Sequence, residues 1–167
     1  MTLKHWGIFL ILCPTLLMAK DERNALLQES SLSLEGAKEV ALKMEEASKK
    51  LNKTISLAVV GASGETLLVY KGDNVGPHNT EAARRKAYTS LSTKTATLEL
   101  MRKASSNNDT KNLAELPELL LLSGGMPLWS NGVVVGAVGV AGGGSPENDD
   151  AIARAAAIIE KGITTKN

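Results

Sequence analysis

One stretch limits the fold more than any other: Val133-Val134-Val135-Gly136-Ala137-Val138-Gly139-Val140, in which every residue is apolar or glycine. A strand with polar residues on neither alternating face must be covered on both sides, which makes it a central strand and not an edge. Its glycines remove side chains where a helix or another subunit approaches closely. Ser130-Asn131-Gly132 in front of it has the composition of a tight hairpin turn, so the preceding Met126-Pro127-Leu128-Trp129, introduced by Gly124-Gly125, is its hairpin partner. After it, Ser145 caps a terminal helix with Pro146 at the first position, Glu147, Asp149 and Asp150 in the first turn and Lys161-Gly162 at the close.

Upstream, Ser33 caps a helix running to about Leu51, with Leu34, Ala37, Ala41, Met44, Ser48 and Leu51 as its inner stripe and Asn52 as its stop. Thr54 to Val60 and Glu65 to Lys71 form a hairpin around Gly61-Ala62-Ser63-Gly64. The turn-rich Gly72-Asp73-Asn74-Val75-Gly76-Pro77 delivers His78 and Asn79 to a helix beginning near Thr80, capped by Asn79 or Thr80, with Ala83, Ala87 and Leu91 as a buried stripe. Those small residues allow close approach to a sheet. A short second helix follows from Thr97 to Lys103, then a loop at Ser105 to Asp109, and Leu113 to Leu122 reads as a helical turn leading past Pro117 into an extended segment. The order helix, hairpin, helix pair, hairpin, helix gives an α+β domain with an antiparallel sheet flanked by helices.

The N-terminus limits the chemistry. Lys4 and His5 precede an apolar run from Trp6 to Met18 that ends at Ala19, ahead of Lys20-Asp21-Glu22-Arg23. A charged start, an apolar core too short to span a bilayer and a small exit residue describe a signal peptide over residues 1–19. A polar leader at 20–32 and one domain over 33–164 then follow. This predicts export to a bacterial periplasm or the exterior, with no stable membrane insertion after cleavage. Removing 19 of the 167 residues leaves 148, with no cysteine, no phenylalanine, His78 as the single histidine, and Tyr70, Tyr88 and Trp129 as the aromatics. Thiol catalysis, disulfides and a zinc site built from several Cys and His ligands are thereby excluded within one mature chain. With 19 Lys+Arg against 18 Asp+Glu and no block of like charge, no nucleic-acid partner is expected.

Four segments invite a chemical reading. Gly139 to Gly144 runs from a strand into a helix start, where backbone N–H groups hold phosphates, but no nucleotide-loop spacing is present and Glu147, Asp149 and Asp150 would repel an anion. A structural turn is favoured over an anion site. Gly76 to Lys86 gathers His78, Glu81, Arg84, Arg85 and Lys86 around one helix start; an imidazole can ligate iron and the cations can pair with ligand carboxylates. The simpler account is a capped helix with a solvated charged face. Glu115 and Glu118 could share a cation or stand as an exposed pair, and Trp129 with Met126 could wall a ligand or fill a core.

The stretches Ala58-Val59-Val60 through Gly64 to Leu68, Glu81 to Ser90 with its Lys86-Ala87-Tyr88-Thr89 centre, and Gly124-Gly125-Met126-Pro127-Leu128 through Val135 to Gly143 together resemble the GlcG/HbpS family of haem-binding and haem-degrading-domain proteins. The family is related to the C-terminal domain of PduO-type adenosyltransferases. The resemblance spans about Ser33 to Gly162. It implies a profilin-like fold, homo-oligomers up to octamers and, in some members, haem. With one histidine, iron contact implies His78 as metal ligand, or an oxygen or sulfur group such as Tyr88 or Met126. The candidate ligand-binding set is therefore His78, Asn79, Glu81, Arg84, Arg85, Lys86, Tyr88 and Met126. Self-association is also expected because a small domain has limited helical cover for Val133 to Val140. The resulting reading is an exported, oligomeric haem- or tetrapyrrole-binding protein. Its alternatives are an enzyme acting on haem or a small organic acid, and an oligomeric structural or signalling module without ligand chemistry.

Overall fold

The computed structural model describes residues 29–166. The signal-peptide and most of the leader assignments lie outside these residues. The chain forms α1 (Leu34–Lys50), β1 (Ser56–Gly61), β2 (Thr66–Lys71), α2 (His78–Thr93), α3 (Thr97–Ala104), α4 (Asn108–Asn112), β3 (Gly125–Ser130), β4 (Val133–Ala141) and α5 (Pro146–Arg154). The four strands pair antiparallel in the order β2-β1-β4-β3. This is the α+β architecture the element order predicts. Among the described residues, no helix is long and apolar enough to cross a membrane.

The sheet sorts its side chains by alternation. Leu57 and Val59 of β1, Val138 and Val140 of β4, and Met126 and Leu128 of β3 face α1 and α5, where Val40, Met44, Ile152 and Ile158 complete the larger core. The opposite face carries Ala58, Val60, Ala137 and Ala141, against which α2 lays Ala83 and Ala87. A register shift between Leu128 and Trp129, facing Gly136 and Val134, leaves Val135 as the extra residue and turns it to the α1 side. The inner stripe of α1 is Ala37, Val40, Ala41, Met44 and Ser48; Leu34 and Leu51, expected inside, are exposed.

Both faces of β4 are thus covered by the chain's own helices, and residues 135–141 are buried without a second subunit. The argument for self-association from an uncovered apolar strand fails on this point. The expectation that glycine admits a close neighbour holds, and the neighbour is α2.

Four boundaries differ from the sequence reading for local reasons. Helix α2 begins at His78, with Pro77 at the cap position and no side-chain cap, so neither Asn79 nor Thr80 caps it. Asn107 accepts the Thr110 N–H through its side chain at 3.0 Å and converts part of the expected loop into α4. Helix α5, capped by Ser145 as expected, stops at Arg154 and not at Lys161. The chain beyond it turns so that Ile158 enters the core and pairs with Ile163, and Thr164 then bridges to Trp129 along the outer edge of β3. Finally, the fold takes in Leu32 from the leader: it is buried, and its N–H donates to the Val135 carbonyl at 2.7 Å.

Tyr70 ties β2 to α1 by donating its phenol to Glu45 at 2.7 Å. Burial, then the hydrogen bond and charge of Glu45, push the phenol far above the ordinary tyrosine range. A raised value means that Tyr70 contributes its full stability below pH about 10, where tyrosine of the unfolded chain ionises, and loses it progressively as pH rises beyond that point. Denaturation midpoints followed from pH 8 to 11 should fall more steeply in wild type than in Tyr70→Phe. Parallel curves would refute the assignment.

Candidate functional site

The segment before α2 is a chain of turns with Asn74 in the left-handed region and Val75 buried as its anchor. It places His78, exposed, on the first turn of the helix. A methyl group at Gly76 would lie 3.0 Å from His78 Cε1, so the imidazole folds back over a residue that has no side chain. Asn79 donates its amide to the Gly76 carbonyl at 3.3 Å and faces a cleft at its inner edge.

The cations of the same helix are engaged within the chain. Arg84 grips Glu81 with two hydrogen bonds of 2.9 and 2.8 Å and reaches Glu118 at 2.9 Å. The Arg84 bonds hold the Glu81 carboxyl below its usual range, and those of Glu81 and Glu118 raise Arg84. Arg85 donates to the carbonyls of Pro117 and Leu119 at 2.7 and 2.8 Å, while its buried Nε has no partner among the described residues. The two arginines therefore act together, strapping the leucine-rich segment onto α2. Thr89 adds a third tie by accepting the Leu120 N–H at 2.8 Å. Glu118 is thus a partner of Arg84 and not one half of a cation site with Glu115.

Lys86 departs furthest from a solvated face. It is 5% exposed, and its ammonium donates to the Val140 carbonyl at 2.8 Å and to Asp149 Oδ2 at 2.9 Å. The other oxygen of Asp149 accepts the Gly143 N–H at 2.8 Å. The chain's own carboxylate thus fills the position where the glycine turn and helix start would hold an external anion, which settles that loop as structural. Asp149 is the member of this constellation that sequence reasoning missed, since a first-turn acid is ordinarily exposed and serves the helix dipole. The available signal was Lys86 itself, set beside Ala83 and Ala87 on the face that packs against the sheet, where a cation requires a buried partner.

The remaining candidates lie apart. Tyr88, ten residues beyond His78 and so about 15 Å further along the axis, packs against the hairpin turn, where a methyl group at Gly64 would meet its ring at 3.0 Å. Met126 is buried in the larger core on the opposite face of the sheet from α2. Neither shares a site with His78. What the structure does bring together is Asn79, Lys86, Asp149, Ser145 and Ser123 around a cleft of roughly 310 Å³, with Met101, Leu122 and Pro146 as its apolar side.

The comparisons with known proteins cover this whole arrangement. Residues 32–158 match the family described as haem degrading protein HbpS-like. A double mutant of HbpS from Streptomyces reticuli is similar in structure, with 36% sequence identity, 80% of this chain and 90% of that chain covered, and a TM-score of 0.74. The PduOC:heme complex follows at 25% identity, 82% and 99% coverage and a TM-score of 0.72. An uncharacterized 15.0 kDa protein from the dhaT-dhaS intergenic region of Citrobacter freundii is 29% identical over 131 residues, which is 77% of this chain and 92% of that protein. With the match taking in all four strands and the glycine turn that holds Asp149, the chain belongs to the HbpS-like family.

Proposed function

We propose that the chain is a haem-binding protein that works as a homo-oligomer outside the cytoplasm, with His78 as its iron ligand. The observation that carries the reading is the placement of His78: it is the only imidazole among the described residues and is exposed on the first turn of α2. Its fit to iron is chemical, because a neutral imidazole is a standard axial ligand. The solved haem complex of a relative, PduOC, supports the ligand class.

The single chain supplies a ligand and little else of a haem pocket. The nearby cleft of roughly 310 Å³ is at the small end of the range for ligand sites, and Arg84 and Arg85 are already spent on the strap. A flat apolar ligand at His78 therefore needs a second wall, and a neighbouring copy of the chain is the simplest source of one. This reading joins haem binding to oligomerisation, with an octamer as the upper limit, and makes affinity depend on protein concentration.

His78→Ala should abolish or shift the Soret band of the haem-loaded protein and leave the fold intact, since an exposed side chain carries little packing. Spectra recorded during haem titration check this. An unchanged band and affinity would overturn the assignment. We place the protein outside the cytoplasm on the strength of the N-terminal pattern, with cleavage after Ala19; mass spectrometry of native protein should find a chain beginning at Lys20.

A further inference from the structure

The haem reading leaves the cleft beside Lys86 without a role. An ammonium has three hydrogens, and those of Lys86 find two acceptors among the described residues, the Val140 carbonyl and Asp149. Lys86 lines the cleft, and its remaining hydrogen has no acceptor among the described residues. The second donor there is Ser145. Its hydroxyl oxygen accepts the Asn148 N–H at 3.1 Å, and its own hydrogen has no acceptor among the described residues. One hydrogen of the Asn79 amide goes to the Gly76 carbonyl, and the Ser123 hydroxyl donates to the Pro146 carbonyl.

We propose that this cleft is a binding site for a small uncharged carbonyl compound, an aldehyde, ketone or amide, whose oxygen accepts from Lys86 and Ser145 and whose apolar part lies against Met101, Leu122 and Pro146. Charge selects a neutral ligand. The Asp149 carboxylate in the lining disfavours an anion, and the Lys86 ammonium beside it disfavours a cation. Two donors suit a carbonyl oxygen, whose two lone pairs take both hydrogens, and the apolar wall suits its carbon skeleton.

The test is a titration of the isotopically labelled full-length mature protein with 2-butanone, following backbone amides by NMR, with butyrate and butylammonium as charged probes of matching size. Saturable shifts should centre on Gly144 and Ser145, and both charged probes should bind at least about tenfold more weakly. Leu122→Trp, which fills the cleft from an exposed position, should remove the shifts without unfolding the protein. His78→Ala should leave them unchanged, so loss of haem binding and loss of this site are separable results. Shifts that fail to saturate, that survive Leu122→Trp, or that are stronger with butyrate would each overturn the proposal.

Discussion

Lys86→Met is expected to destabilise the protein by about 3–5 kcal/mol. The substitution keeps the stem's volume and removes the charge. It leaves Asp149 with one carboxylate oxygen on the Gly143 N–H, and leaves the other oxygen and the Val140 carbonyl without the ammonium they shared. An uncompensated buried carboxylate is far more costly than the pair, so the chain must protonate it, hydrate it or open the start of α5. Asp149→Asn should cost a comparable amount by stranding the ammonium. Combining Lys86→Met with Asp149→Leu should recover much of the loss, because apolar replacements of a buried pair are often neutral. The recovery will be incomplete, since the Gly143 N–H then loses its acceptor. Urea denaturation of the four proteins gives the coupling directly. Single-variant losses under about 1 kcal/mol would mean that the pair is as solvated as a surface salt bridge.

The same pair shows what the sequence could and could not say. Caps and hairpin turns depend on neighbours within a few residues, so Ser33, the Asn131-Gly132 turn and the Ser145-Pro146 start are all where local chemistry puts them. Lys86 and Asp149 are 63 residues apart, and each has an ordinary local explanation, one as a helix-surface cation and the other as a first-turn acid. Only the packing of α2 across β4 makes them partners. The arginines failed in the same manner: Arg84 and Arg85 looked available to a ligand because Glu118 and the Pro117 and Leu119 carbonyls, 32 to 34 residues away, carry no marker of where they return. Met126 and Tyr88 were grouped with His78 by chemistry, and the alternation of β3 and the length of α2 separate them.

Gly139→Ala should cost roughly 3 kcal/mol or more, at or above the usual range for overpacking, although it adds only one methyl group. Built on this backbone, that methyl collides with the Ala83 carbonyl oxygen and lies 2.7 Å from the Ala87 backbone nitrogen. Both contacts are main chain, so no rotamer change relieves them and α2 must lift away from the sheet. Lifting it separates Ala83 and Ala87 from Ala58, Val60 and Ala137, and strains the Lys86 bond to Val140, because the lysine rides on the same helix. A closely packed interior has little slack to absorb such a shift. Gly132→Ala is the matched control. It has open space around the new methyl group but a φ of +76°, so only backbone strain of about 1–2 kcal/mol opposes it. Chemical denaturation should therefore rank Gly139→Ala well below Gly132→Ala in stability. The Gly139→Ala protein should also lose hydrogen-exchange protection along α2 before the α1 side of the sheet opens. Equal losses in the two variants would show that the α2 interface yields easily, and the close helix-to-sheet contact would then not be what requires glycine at this position.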